Sequence, residues 1–289
     1  MSLVINTNVA SINGQRNLQA TQAQQAQVFQ RLSTGLRVNS AKDDAGGLYL
    51  AQSQTKDIRV LSMATRNAGD GISMAQTAEG ALDQISANLQ RINELAIQSA
   101  NGSYNTNARA GLQKEVDQLT QEVARIIETT EFNGQVLLSS SAKSLTMQIG
   151  FKDEGASQIS VGLSGGVHKA ITQGAAAFSG IIGGGLNGVK TIDISNQSSA
   201  QKAIASTRAA IDGVSELRAT FGAVMNRFEA VIAGNQTYSE NLQAARSRIQ
   251  DADFAVETSN LAKLQVLQQA GIAALGQANA SSQAVLGLL

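Results

Sequence analysis

The stretch Leu82-Asp83-Gln84-Ile85-Ser86-Ala87-Asn88-Leu89-Gln90-Arg91-Ile92-Asn93-Glu94-Leu95-Ala96 carries apolar residues at 82, 85, 89, 92 and 96. Steps of three and four alternate, which lays an apolar line along one side of a helix and leaves Gln90, Arg91 and Glu94 on the other. Towards the N-terminus the line continues through Ala75, Ile72 and Ala68 to Leu61 and Ile58, interrupted only at Glu79. The run covers about 39 residues, roughly 58 Å at 1.5 Å per residue, more than a compact globule accommodates. Long helices packed side by side are therefore predicted.

Outward from this run the same period returns twice. Asn101-Gly102-Ser103 breaks it, and Leu112, Val116, Leu119, Val123 and Ile126 predict a second helix over 105–129, closed by the turn signal Asn133-Gly134. Leu145, Met147, Ile149 and Phe151 then alternate with polar residues, as do Ile159, Val161 and Leu163, with Lys152-Asp153-Glu154-Gly155 between them. Period two predicts a β-hairpin over 144–163. A glycine-rich stretch follows, with Gly165-Gly166, Gly180 and Gly183 to Gly185, and Ile192 and Ile194 form a short strand candidate. From Ser199 a third long helix is predicted through Ile204, Ile211, Val214, Phe221, Met225, Phe228 and Ile232, with Ser198 or Ser199 as its cap. Its line runs on to Val256 and then slips in phase to Leu261, Leu264, Leu267 and Leu275, which predicts a break near 257–261.

Both ends are rich in glutamine and poor in charge, as Gln15, Gln19, Gln22, Gln24 and Gln25 show at one end and Gln265, Gln268 and Gln269 at the other. Leu18, Ala26, Phe29 and Leu32 give the first helix a narrow apolar stripe, too weak to offset backbone ordering alone. The two ends are expected to pair. The fold class is then mainly α: an antiparallel bundle or coiled coil of long helices, with the N- and C-terminal halves paired and a small central β-hairpin region. The expected domains are 1–44 with 246–289, and 45–245, the β-hairpin and glycine-rich segment lying at about 135–198.

Composition excludes several classes. The chain has 289 residues, no cysteine, no proline, no tryptophan and one histidine. Thiol redox chemistry, disulfides and thiolate metal sites are ruled out, and His168 has no partner for a metal site. Twenty-two basic residues balance 22 acidic ones, which gives no electrostatic footprint for nucleic acid. No apolar stretch is long enough for a membrane span, and Met1-Ser2-Leu3-Val4-Ile5-Asn6 lacks the pattern of a secretory signal.

Three motifs invite chemistry and fail it. Gly183-Gly184-Gly185-Leu186-Asn187-Gly188 has the spacing of a dinucleotide loop, but a strand pattern follows it and no acidic residue stands about twenty positions on. Asp251 and Asp253 form a D-x-D pair, yet on a helix residues two apart do not share a face, and Arg246 and Arg248 lie just upstream. His168 sits alone in a glycine-flanked segment. No catalytic set, cofactor site or metal site is predicted.

Several segments resemble bacterial flagellin: Ile5-Asn6-Thr7-Asn8, Arg31 to Gly46, Gln76-Thr77-Ala78-Glu79-Gly80-Ala81-Leu82, Phe132-Asn133-Gly134, Gly222 to Phe228, Glu240-Asn241-Leu242, Ala245 to Ala255 and Leu267-Gln268-Gln269-Ala270. They cover about 1–140 and 205–289 in the family's order, and the short interval between them looks like a minimal member without large outer domains. The resemblance implies a structural subunit that self-assembles into the flagellar filament through its terminal helices, here carrying Leu18, Phe29, Leu32, Leu261, Leu264, Leu267 and Leu275. It implies export through the flagellar type III apparatus without a cleaved signal, and an extracellular destination. The implied partners are further copies, an export chaperone on the C-terminal helix at about 250–289, the filament cap and hook-associated proteins. It further implies that vertebrate Toll-like receptor 5 reads the face bearing Gln90, Arg91, Leu95 and Glu115, with Asn93 standing where many relatives are basic. The alternatives are a hook–filament junction protein and a nucleotide-binding cytoplasmic enzyme resting on Gly183 to Gly188.

Overall fold

The computed structural model describes residues 8–139, 145–150, 157–161 and 192–286. Within them the chain runs α1 (Val9–Thr34), α2 (Ala45–Ala100), α3 (Thr106–Thr129), β1 (Glu131–Phe132), β2 (Gln135–Val136), β3 (Leu145–Gln148), β4 (Gln158–Val161), α4 (Gln197–Gln250) and α5 (Phe254–Leu286). The fold is mainly helical, as the apolar period predicts. It divides into two compact units, one holding the chain up to Ile58 and from Glu240, the other Arg59–Ser239.

The unit Arg59–Ser239 owns most of the core. Leu82, Ile85, Leu89, Ile92 and Ala96 of α2 are all fully buried, along the line the sequence draws. On α4, Ala200, Ala203, Ala210, Val214, Leu217, Phe221 and Phe228 repeat the three-four step and join the same core, with Val116, Val123 and Ile127 of α3. The α2 and α4 lines run antiparallel: Phe228 lies against Gly71, and Thr207 Oγ1 donates to Asn93 Oδ1 at 3.4 Å. The α2–α3 turn is stitched by Arg109, whose guanidinium donates to the carbonyls of Ser99 (2.9 Å) and Asn101 (3.1 Å) at the end of α2. Asn105 caps α3 by accepting from the Ala108 amide.

Two antiparallel pairs supply the β structure. β3 and β4 pair with Leu145 opposite Val161 and Gln148 opposite Gln158, inside the predicted hairpin. Asn133 (φ 52°) and Gly134 (φ 74°) form the tight turn of a further pair, β1–β2, with both turn residues left-handed as a two-residue hairpin requires. The hairpin β3–β4 is tied to two helices by side-chain amides: Asn67 donates to the Gln148 carbonyl at 2.9 Å and Asn235 to that of Ile149 at 3.0 Å.

Within the polar run 39–47, α2 already starts at Ala45, because Asp44 accepts from the Gly47 amide at 2.9 Å and caps it. Three local expectations are corrected. The cap of α4 is Asn196, not Ser198 or Ser199: its side chain accepts from the Ser199 amide at 2.8 Å. Ile192 and Ile194 are buried but pair with none of the described strands. The Gln113 amide substitutes for one, donating to the Ile192 carbonyl and accepting from the Ile194 amide, both at 2.6 Å. The break between the last two helices falls at 251–253 rather than 257–261, so Asp251 and Asp253 lie between helices and not on one.

Candidate functional site

In the unit formed by the chain ends, α1 and α5 pack against each other along a line that hydropathy does not mark. On α1 the buried or half-buried positions are Ser11, Gly14, Leu18, Thr21, Gln25, Val28 and Leu32, with Arg31 flanking the line; on α5 they are Glu257, Leu261, Leu264, Gln268, Gly271, Leu275 and Ala278. Both step by threes and fours, the antiparallel coiled-coil seam. The contacts are reciprocal in size. A Cβ on Gly14 would stand 2.7 Å from Leu275 Cδ2, and one on Gly271 would stand 3.5 Å from Leu18 Cδ1, so each glycine receives the other helix's leucine. Polar groups close both ends. Asn8 caps α1 through Ser11 and donates to the Ala278 carbonyl at 3.0 Å, while Arg31 donates to Glu257 at 3.1 Å beside Gly35, the left-handed C-cap of α1.

This seam corrects the stripe expected on α1. Val28 is buried, whereas Phe29 is 50% exposed and Ala26 is exposed. Of the expected α5 residues, Leu264 is buried and Leu261 and Leu275 half-buried, but Leu267 is 47% exposed. Leu18 and Leu32 sit on the seam; Phe29 and Leu267 face out. The phase is set by small and polar residues at 11, 14, 21 and 25, which hydropathy scores as surface.

The seam leaves much apolar surface uncovered. Among the described residues, ten of the fourteen exposed large hydrophobic residues belong to this unit, among them Val9, Ile12, Phe254, Val266, Leu267 and Ile272, against three buried ones, Val28, Val38 and Leu264. Among the described residues the other unit has twenty-one large hydrophobic residues buried and four exposed. Scattered apolar residues on a surface are ordinary, but a helix pair with more large apolar side chains outside than inside is built to be covered.

A second surface lies on the other unit. Gln90, Arg91 and Glu115 are exposed, with Arg91 donating to Glu115 Oε1 and Glu94 Oε2 at 2.9 Å each. Glu115, and after it Glu94, holds the guanidinium above its usual range. Leu95 is different: it is fully buried in the α2–α3–α4 core, so it shapes this face from beneath. Asn93 is half-buried and bound to Thr207, a place where a basic side chain would have to leave the helix interface.

Nothing among the described residues forms an active site. No group of three potential metal-ligating side chains converges among them. Asp253 is occupied in capping α5, accepting from the amides of Ala255 (2.9 Å) and Val256 (3.3 Å). His168 and Gly183 to Gly188 lie outside the described residues. No described helix is long and apolar enough to cross a membrane.

Residues 5–143 match the bacterial flagellin N-terminal helical region and residues 204–289 the bacterial flagellin C-terminal helical region. A flagellin from Halalkalibacterium halodurans is 39% identical over 287 residues, spanning 99% of this chain and all of that one. The chain belongs to the bacterial flagellin family. A flagellin from Xenorhabdus nematophila is also 39% identical, over the whole of both chains. The crystal structure of Bacillus cereus flagellin covers 59% of this chain and 88% of its own at 26% identity, with a TM-score of 0.48. A flagellar hook-associated protein from Vibrio parahaemolyticus shares the fold alone, at 12% identity and TM-score 0.54, covering 72% of this chain and all of that one. The sequence match at both ends is what sets this chain among flagellins. It is a structural protein, a subunit of the flagellar filament, and not an enzyme. Family membership makes further copies of the same chain its partners in a homopolymer.

Proposed function

We propose that polymerisation runs through a terminal domain of residues 1–44 and 246–289, with 45–245 as a second domain. The observation that carries this is the inverted apolar distribution of the α1–α5 pair. Burying the exposed part of a half-exposed Phe, Leu, Ile or Val contributes about 1 kcal/mol each, taken as half of the full-burial value. Phe29, Val266, Leu267 and Ile272 together then supply an association energy that the lone subunit does not collect. Their burial also completes a helix pair whose own seam is half polar.

The subunit is exported as a monomer through the flagellar type III apparatus and acts outside the cell. Chaperone recognition falls on the segment from about 250 to the C-terminus, whose apolar outer face needs cover before assembly. The filament cap and hook-associated proteins meet the same terminal helices. The monomer is recognised by Toll-like receptor 5 through Gln90, Arg91 and Glu115, with Leu95 supporting that face from below. The Arg91 guanidinium, pre-set by Glu94 and Glu115, supports this reading.

Seeded elongation tests the proposal. Purified monomer is added to short filament fragments and followed by electron microscopy, beside a chain trimmed to residues 45–245. Only the full chain is expected to elongate; elongation by the trimmed chain would place the polymerisation surface elsewhere.

A further inference from the structure

Asparagine is followed by glycine at Asn13, Asn101, Asn133 and Asn187. Glycine leaves the peptide nitrogen between the two residues unshielded, so that nitrogen can attack the asparagine carboxamide carbon wherever the fold brings them together. Two of these pairs, at 101 and 133, lie in exposed turns of the unit Arg59–Ser239, and their geometries are opposite. Asn133 is left-handed (φ 52°), a conformation that puts the next nitrogen across the Cα–C bond from the side chain, and the pairing of Phe132 with Gln135 holds it there. At the α2–α3 turn, Asn101 Oδ1 instead accepts from the Ser103 amide at 3.1 Å. The ring closed by that bond contains both the carboxamide carbon and the Gly102 nitrogen, so the side chain is folded back over its own peptide bond. The bond also draws electrons away from the carboxamide carbon. On the other side of the same peptide, the Asn101 carbonyl oxygen accepts from Arg109 Nη2 at 3.1 Å and from the Tyr104 amide at 3.3 Å. Arg109 is itself aimed by its Nε, which donates to the Ser99 carbonyl at 2.9 Å. When the Gly102 nitrogen loses its proton the negative charge spreads onto that oxygen, and a cation bonded there favours it. The Gly102 amide takes part in no hydrogen bond among the described residues, and nothing lies within 4 Å of a would-be Gly102 Cβ, so water and hydroxide reach the site.

We infer that Asn101-Gly102 is a self-modifying site, at which the folded subunit converts Asn101 to aspartate or isoaspartate, and that Arg109 activates it. A solvent hydroxide takes the Gly102 amide proton. The nitrogen bonds to Asn101 Cγ, the Cγ–Nδ2 bond breaks, and ammonia leaves with a proton from water, which regenerates the hydroxide. Water then opens the resulting cyclic imide at one of its two carbonyls and leaves one new carboxylate. The sum is one water consumed and one ammonia released, with no oxidant, reductant or second protein. Opening at the Asn101 main-chain carbonyl gives isoaspartate and places the carboxylate on the carbon whose oxygen Arg109 already holds. The turn thereby gains an ion pair where it had a bond to a neutral carbonyl. Each subunit so modified carries one more negative charge at an exposed turn of a chain whose 22 basic and 22 acidic residues balance.

Peptide mapping of the full-length monomer tests this. The protein is incubated at mildly alkaline pH, folded and in guanidinium chloride, and mass spectrometry of protease digests follows the exchange of carboxamide for carboxylate at each asparagine. In denaturant Asn101 and Asn133 are expected to convert at similar rates. In the folded protein Asn101 is expected to convert at least about tenfold faster than Asn133, because only one of the two geometries allows the attack. Gly102→Ala, at a position with open space and no left-handed backbone, is expected to slow conversion of Asn101 about tenfold or more and to leave Asn133 unchanged. Arg109→Ala is expected to slow Asn101 several-fold in the folded protein and not in denaturant, with Arg109→Lys retaining part of the rate. A purely structural Arg109 would act in the other direction, since a loosened turn reaches the attack geometry more freely; unchanged or faster conversion in Arg109→Ala would therefore remove its activating role. An Asn101 that stays intact in the folded protein, or an Asn133 that converts there as fast, would overturn the inference.

Discussion

Gly71 offers the sharpest test of the packing argument. A Cβ built there stands 2.7 Å from Phe228 Cζ and 2.8 Å from Cε2, roughly 1 Å inside ordinary carbon contact. The ring has no exposed surface and so no free volume to retreat into. Overpacking of this kind costs about 1–3 kcal/mol, and two overlapped ring atoms put Gly71→Ala near the upper end. Alanine returns about 1 kcal/mol of helix propensity, which leaves a net loss of about 2 kcal/mol. In a unit of this size that lowers the melting temperature by about 4–8 °C. Gly80, on the same helix with nothing within 4 Å of its would-be Cβ, is the control: Gly80→Ala collects the propensity alone and melts up to about 2–4 °C higher. Calorimetry of the monomer reads both, with hydrogen exchange in α2 and α4 assigning the transition. In a Phe228→Leu background the ring is gone and the cost of Gly71→Ala should shrink by more than half, the coupling expected of touching residues. A Gly71→Ala protein that melts with the wild type, or a loss that is unchanged in the Phe228→Leu background, would refute the reasoning.

Further expectations follow from the same geometry. Leu264→Ala, on the α1–α5 seam, should destabilise that helix pair by about 2 kcal/mol, near the low end for core truncation because the site is only one helix deep, and hydrogen exchange at α1 should rise accordingly. Leu267→Gln, on the outer face, should leave the monomer's exchange within about 0.5 kcal/mol of wild type yet raise the critical concentration for seeded elongation about fivefold, a figure that follows from losing about 1 kcal/mol; equal effects from the two substitutions would erase the distinction between seam and outer face. Arg91→Ala should sharply reduce receptor reporter activity while leaving the melting temperature essentially unchanged, since both its ion pairs are exposed; full activity in the variant would remove Arg91 from the recognition face. Asp43 has its pKa lowered below 3.8, first by the Ser40 hydroxyl and then by the Ser40 amide. A depressed carboxylate stabilises the fold above its unfolded value and loses that contribution as pH falls through the folded one. The segment 40–44 should therefore loosen below about pH 3.8, and Asp43→Asn should flatten that part of an exchange-versus-pH profile.

How far the sequence discloses this architecture differs between the two units for a physical reason. In the unit Arg59–Ser239 each helix buries Leu, Ile, Val and Ala at three-four spacing, so hydropathy and geometry speak of the same positions, and Leu82 through Ala96 identify the core directly. The β3–β4 hairpin is legible likewise, from period two. The short pair β1–β2 hides in four residues, too few to show a period; its only signal is Asn133-Gly134. Ile192 and Ile194 alternate like a strand because they are buried like one, but the pairing partner is the side-chain amide of Gln113, which leaves no trace in a hydropathy pattern.

At the chain ends the correspondence fails, and its failure carries functional information. A seam of Ser11, Gly14, Thr21 and Gln25 buries little, while Phe29 and Leu267 remain outside. Hydropathy marks whichever residues are most apolar, irrespective of whether a subunit buries them within itself or against a neighbour. In a self-sufficient domain the two sets coincide. Here they part, so the stripe expected on α1 mixes seam residues, Leu18 and Leu32, with outward ones, Ala26 and Phe29. The Arg91 face is legible only through resemblance, since Gln90, Arg91 and Glu94 are what any solvated helix surface displays. By contrast, the misplacement of Phe29 and Leu267 requires no family knowledge to interpret. A stripe predicted to be core, yet found outside on a helix pair with almost no core of its own, is what the proposed polymerisation surface requires: apolar area buried by the assembly rather than by the subunit.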